Sequence, residues 1–130
     1  MVIDSSALVA ILAGEPEQAA FIAAIEGDGL RLMSAASYLE ASIVIEGRYG
    51  ADGRRDFDQF IAEAAIEVAA VTREQAEVAR DVYRIYGRGN HPARLNFGDC
   101  FAYALAQLSG ETLLCKGNDF AQTDLVVWTG

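Results

Sequence analysis

Short apolar segments alternate with stretches of helical periodicity along nearly the whole chain, and this alternation restricts the fold more than any other feature of the sequence. Val2 to Ile3 reads as the core of a first strand, followed by a helix from about Ser5 to Ala13 and a break at "GEPE". A second helix runs from about Glu17 to Glu26 and stops at "GDG". "LRLMSA", Leu30 to Ala35, supplies a second strand, and "SYLEASIVIEGRYG" keeps apolar residues at helical spacing until Gly47 or Gly50. "ADGRRDFDQFIAEAA" starts a further helix in which Phe57, Phe60 and Ile61 share a face. "IEVAAV" is a brief strand, and Thr72 then caps the helix "TREQAEVARDVYRIYG", with Gln75 in the position of a capping-box partner. After an irregular stretch from Gly87 to Asn96 come a helix from about Phe97 to Leu108, the strand "TLLC", the loop "KGNDF" and a last strand around Leu125 to Trp128.

The strands are short and apolar without strict alternation, the pattern of a parallel sheet covered on both faces. The expected fold is therefore α/β: one domain over residues 1–130, with a central, mainly parallel sheet flanked by helices. No internal repeat or low-complexity linker divides the chain, and its 130 residues suffice for one hydrophobic core.

Composition narrows the function classes. No apolar run reaches the roughly 18 to 20 residues of a membrane span, and the N-terminus lacks the basic region of a signal peptide, so no membrane association and a cytoplasmic location are expected. Nineteen acids against ten bases, a formal charge of -9, argue against broad non-specific binding to nucleic acid while leaving room for a local phosphate-binding patch. Cys100 and Cys115 are expected to be reduced and buried, and with a single histidine they do not make the usual zinc set.

Four acids stand beside these apolar segments. Asp4 ends the first strand, Glu40 lies early in the helix after the second, Asp99 sits in the first turn of a late helix, and Asp119 follows the strand ending at Cys115 by four residues. Open parallel sheets gather ligands at the carboxyl ends of their strands, so the four are expected to converge there. Each also has a local explanation: Asp4 as a helix cap, Glu40 three residues after Ser37 and Asp99 three after Asn96 as capping-box partners, Asp119 as a stabiliser of a short helix. Convergence would crowd like charges, which a hard divalent cation such as Mg²⁺ or Mn²⁺ neutralises through carboxylate and water oxygens. Gly98 and Gly117 precede this chemistry and would let backbone or substrate approach the acids, although a plain turn explains both glycines as well.

Basic residues concentrate from Val82 through Gly98, where no acid occurs and Arg84, Arg88, His91 and Arg94 do; Arg48, Arg54 and Arg55 form a second group, and Lys116 stands near Asp119. Arg84, Arg88, Arg94 and Lys116 are the candidates for gripping a phosphate backbone, against solvation and surface ion pairing as their other use. His91 fits loop hydrogen bonding, and the helical aromatics Tyr38, Tyr49, Phe57, Phe60, Tyr83 and Tyr86 fit packing better than base stacking.

"VIDSSALVAIL", the glutamate of "SAASYLEASIV", "LNFGDCFAYALA" and "LLCKGNDF" with its trailing "TD" together resemble the PIN-domain family, in particular its VapC-type toxin ribonucleases. The resemblance spans essentially the whole chain. It implies an Mg²⁺- or Mn²⁺-dependent ribonuclease hydrolysing RNA phosphodiesters, with Asp4, Glu40, Asp99 and Asp119 as metal-binding and catalytic acids and Ser6 as the hydroxyl residue after the first aspartate. It implies also a homodimer neutralised by a cognate antitoxin, with the helices around Tyr38 to Gly50 and Asp52 to Ala65 as walls of the groove for that partner. The alternatives are a PIN-like RNA-processing nuclease without an antitoxin and a non-catalytic metal- or partner-binding module. Phosphoacceptor signalling fits less well, because the opening residues provide no DxD motif or acidic pair.

Overall fold

The computed structural model describes residues 1–130. Strands β1 (Val2–Ile3), β2 (Leu32–Ser34), β3 (Glu67–Ala69) and β4 (Leu113–Leu114) form one sheet in the order β3-β2-β1-β4, and every pairing between them is parallel. The helices are α1 (Ser5–Leu12), α2 (Gln18–Glu26), α3 (Ala35–Glu63), α4 (Arg73–Tyr86) and α5 (Phe97–Ser109), with a 3₁₀ turn at Phe120–Gln122. No helix is long and apolar enough to cross a membrane.

The two-residue period of a strand explains why the strands lack a polar face. Ile3, Met33 and Leu114 point into a core filled by Ala7, Leu8, Ile11, Phe21, Ile25, Ile45 and Phe57 of α1, α2 and α3. Val2, Leu32 and Leu113 point the other way, into a core shared with Val82 of α4 and Cys100, Tyr103 and Leu105 of α5. Water therefore reaches neither side of the sheet centre, where β1, β2 and β4 are buried, whereas the edge strand β3 is largely exposed and carries Glu67. Both cysteines are buried and unpaired by disulfide.

Because the strands are parallel, their carboxyl ends lie along one edge. β1 passes through Asp4 into α1, β2 passes at Ser34 into α3, and β4 leads through Cys115 into the loop that carries Asp119. Asp4 N–H still donates to Leu114 O at 2.9 Å, which holds the ends of β1 and β4 level. The sheet thus delivers several chain turns to one rim.

Gly50 divides α3. Its φ of 66° and ψ of -149° lie outside the helical region, and the chain bends there, which is the break expected at Gly47 or Gly50. The bend folds the second half of α3 back on the first, and Tyr38 meets the buried Phe57 edge-on at 5.2 Å between ring centroids. Phe57 is core as expected, whereas Tyr49 and Tyr83 are substantially exposed.

Two local expectations are corrected. The segment from Leu125 to Trp128 is no strand: a single bridge joins Val127 to Leu113, because β4 is only two residues long and offers no ladder to extend. The cap of α3 is Ser34, whose Oγ accepts from Ala36 N–H at 3.3 Å, and not Ser37. The strand runs directly into the helix, so Ser37 lies within it, its Oγ buried without a hydrogen-bond partner, and Glu40 is not a capping residue.

Candidate active site

Asp4 is 3% exposed at the carboxyl end of β1. Its carboxylate caps α1, accepting from Ser6 N–H at 3.0 Å and from Ser6 Oγ–H at 2.6 Å. Burial pushes its pKa above the ordinary carboxylate value; the bonds from Ser6 oppose the rise and the charge of Glu40 adds to it. The local role expected of Asp4 is thus real, and only one of its oxygens is used in it.

Ser6 is tied to a third element as well, since Lys116 N–H donates to its Oγ at 3.0 Å. The hydroxyl thereby links the loop after β4 to Asp4. Ser5, one residue earlier, is buried and points elsewhere: its Oγ donates to Glu40 Oε1 at 2.5 Å.

Asp99 and Asn96 close a complete capping box at the start of α5, with Asn96 N–H to Asp99 Oδ2 at 3.0 Å and Asp99 N–H to Asn96 Oδ1 at 2.9 Å. This box fixes the orientation of the Asp99 carboxyl group. Its pKa is pushed up to about 6, first by burial and then by the charges of Asp4, Asp119 and Glu40, against the lowering effect of the Asn96 bond. The same field reaches Cys115, whose thiol is pushed to about 12 by burial and by Asp4, Asp99 and Asp119. Four acids separated by over a hundred residues of chain therefore share one electrostatic neighbourhood.

Asp119 lies on the exposed loop after β4, reached through a turn in which Gly117 has a φ of 92°. It stands at the N-cap position of the 3₁₀ turn, and its side chain makes no capping hydrogen bond there.

None of the four acids takes part in an ion pair. A cluster of carboxylates with no protein cation is chemically suited to a hard divalent ion. No group of three or more His, Cys, Asp or Glu side chains is drawn together into a metal cage. Mg²⁺ keeps several waters and takes few direct protein ligands, so a closed cage is not required for such an ion.

Arg84, Arg88 and Arg94 are exposed, the first 3.8 Å from Asp81 and the other two outside any ion pair. Arg88 and Arg94 flank the Gly87–Leu95 bridge that closes the irregular stretch leading to Asp99. Lys116 differs from them: its ammonium is engaged by Glu15 and lies 3.5 Å from Glu17. His91 accepts from Ala93 N–H at 3.0 Å, the loop role expected of it.

Ser5 is the residue that sequence reasoning missed. Adjacent serines after a strand-ending aspartate share no helical face, so one serving Asp4 leaves the other pointing to a different neighbour, and the identity of that neighbour depends on tertiary packing.

The chain is similar to known proteins over nearly its whole length. The PIN domain profile matches residues 1–126. Ribonuclease VapC30 of Mycobacterium tuberculosis is 54% identical over 125 residues, covering 96% of this chain and 95% of that protein. Ribonuclease VapC of Mycolicibacterium smegmatis is 52% identical over 125 residues, 96% and 97% of the two chains. Among solved structures, M. tuberculosis VapC20, described as a sarcin-ricin loop cleaving toxin, superposes with a TM-score of 0.80 at 17% identity over 99% of this chain and 98% of that one. A toxin-antitoxin complex from Klebsiella pneumoniae gives a TM-score of 0.74 at 18% identity, covering 98% and 95%.

The chain belongs to the PIN-domain family, and within it to the VapC-type ribonucleases.

Proposed function

We propose that this VapC-type ribonuclease hydrolyses RNA phosphodiesters with the help of Mg²⁺ or Mn²⁺ held at the rim where Asp4, Glu40, Asp99 and Asp119 share one field. The observation that carries this reading is an acidic rim without a protein cation: Asp99, fixed by its capping box, lies in the field of Asp4, Glu40 and Asp119, and none of the four takes part in an ion pair. A bound divalent cation would supply the missing positive charge, activate a water and offset charge on the phosphoryl oxygens.

Asp4 and Asp99 act as the central acids, each presenting a carboxylate whose orientation is already set by Ser6 or by the capping box. Glu40 and Asp119 complete the rim directly or through water. Ser6 holds the Asp4 carboxylate by hydrogen bonding and does not itself attack phosphorus. In the reaction a water oxygen bonds to phosphorus while the bond to the leaving oxygen breaks, and that oxygen takes up a proton.

Arg84, Arg88 and Arg94 bind the RNA backbone on the approach to Asp99. Guanidinium groups suit bidentate phosphate contact, and these three are exposed. Lys116 contributes less to RNA binding than the arginines, because a phosphate would compete with Glu15 and Glu17 for its ammonium.

The partner is a cognate antitoxin, and the protein works as a homodimer. Supporting a partner groove on α3, Tyr38, Leu39, Ser42 and Glu46 of its first half face Arg54, Phe57 and Asp58 of its second across an open cleft. Leu39 and Ile43 are exposed on the same half.

The test compares RNA cleavage by wild type and Asp99→Asn in Mg²⁺ and in EDTA, using protein freed of any copurifying partner. Loss of activity on substitution, by at least about 100-fold, and on chelation is expected. Cleavage that survives both would remove the mechanism.

A further inference from the structure

We propose that Gly98 and Ser5 are positioning residues for the Glu40 carboxylate, the first by leaving space for it and the second by a hydrogen bond, and that together they set how tightly the acidic rim holds a divalent cation. Both roles presuppose the cation-dependent chemistry proposed above, and they extend it to residues that carry no charge.

Glu40 comes from the early part of α3, yet its carboxyl group reaches the starts of two other helices. From α1, Ser5 Oγ donates to Oε1 at 2.5 Å, and Ser5 is 8% exposed, so water competes little for this bond. From α5, the bare Cα of Gly98 lies against the other side. A Cβ at position 98 would stand 2.5 Å from Oε2 and 3.1 Å from both Cδ and Oε1. All three atoms of the carboxyl group crowd that point, so rotation about the last torsion does not relieve the contact. The whole group has to move.

Such a displacement bears on function because Gly98 immediately precedes Asp99, whose raised pKa includes the charge of Glu40. The glycine therefore lets the Glu40 carboxyl group lie against the first turn of α5, one residue from Asp99. A turn does not account for it: Gly98 is within α5 and has no positive φ. By conformation alone alanine would serve better at this position, since glycine is a poor helix former. The residue is small where the helix would prefer otherwise, and the three atoms nearest to a Cβ there all belong to Glu40.

Removing the group that orients a ligand typically weakens metal binding by one to two orders of magnitude, and a displacement beyond about 0.5 Å takes a ligand out of its productive geometry. Here the steric obstacle is the end of a flexible side chain, so the fold survives the substitution while the carboxylate is displaced.

The experiment titrates purified wild type, Gly98→Ala, Ser5→Ala, Glu40→Ala and the two double variants with MnCl₂, reading free Mn²⁺ by electron paramagnetic resonance, and records thermal unfolding of each without metal. Gly98→Ala and Ser5→Ala are each expected to weaken Mn²⁺ binding about tenfold. Metal-free Gly98→Ala should unfold no earlier than wild type, and neither substitution should have any further effect once Glu40 is alanine. A residue of merely structural importance would lower stability and affinity together and would do so in either background. Wild-type Mn²⁺ affinity in Gly98→Ala and Ser5→Ala overturns the assignment, as does a loss that persists in full beside Glu40→Ala. Absence of Mn²⁺ binding by wild type itself overturns the cation chemistry and this assignment with it, which separates the two failures.

Discussion

The backbone N–H of Lys116 donates to Ser6 Oγ at 3.0 Å across 110 positions of sequence, while the same hydroxyl donates to Asp4 Oδ2 at 2.6 Å. One side chain so joins the loop after β4 to the buried acid at the end of β1. Ser6→Ala removes a bond that holds the pKa of Asp4 down. The expected result is a pH profile of RNA cleavage shifted to higher pH on its acid side, together with about tenfold weaker Mg²⁺ activation. Initial rates across pH and Mg²⁺ concentration check both, and an unmoved profile would show that the hydroxyl does not tune Asp4.

Asp99 predicts how the metal-free protein responds to pH. Its folded pKa of about 6 exceeds the ordinary 3.8, so the folded state binds this proton more tightly than the unfolded chain does. Stability is therefore greatest below 3.8 as far as this group is concerned, falls as pH rises toward about 6, and stays reduced above it. Asp4, also raised, acts in the same direction. Asp99→Asn keeps the capping geometry without the charge, and in EDTA it should be more stable than wild type at pH 7 by about 1–2 kcal/mol after allowance for solvent screening. Urea unfolding of both proteins from pH 4 to pH 7 tests this, with the difference growing as pH rises. Adding Mg²⁺ should stabilise wild type more than the variant.

The arginines predict a salt dependence. Neutralising Arg84, Arg88 and Arg94 together should lower RNA affinity and flatten the slope of log affinity against log salt by about 0.7 for each phosphate no longer neutralised. Lys116→Met should leave that slope nearly unchanged, because its ammonium is already occupied by Glu15 and Glu17. Fluorescence anisotropy with a labelled single strand in EDTA, where cleavage is suppressed, measures both.

Gly50 predicts a stability effect far from the chemistry. A Cβ there would meet nothing within 4 Å, so Gly50→Ala tests backbone strain alone. With φ at 66° and ψ at -149°, the substitution should cost about 1–3 kcal/mol. Denaturant unfolding with an unchanged slope against urea is the check.

The alternation of apolar runs with helical periods was enough to read the parallel sheet and its helical layers, because burial on both faces leaves a plain imprint on composition. The breaks at Gly50 and Gly87 and the caps at Thr72 and Asn96 were legible for the same local reason. Ser34 was not legible as the α3 cap, since "MSAAS" places serines on both sides of the junction and only the register of β2 with β3 decides which one ends the strand. The Leu125 to Trp128 segment reads as a strand by propensity, but pairing depends on the length of its neighbour, which propensity does not encode. Among the site residues, the acids stand out by charge beside apolar segments. Ser5 and the steric office of Gly98 do not, because each acts on a side chain more than thirty positions away.

β1 sits inside the sheet, between β2 and β4, so it lacks one flank until residues 113 and 114 have been synthesised. A polypeptide still growing on the ribosome therefore carries its first acid for most of its synthesis without the strand that levels it or the loop that faces it. A product terminated early lacks Asp119 altogether. Completion of the acidic rim therefore waits on the strand that closes the sheet beside β1.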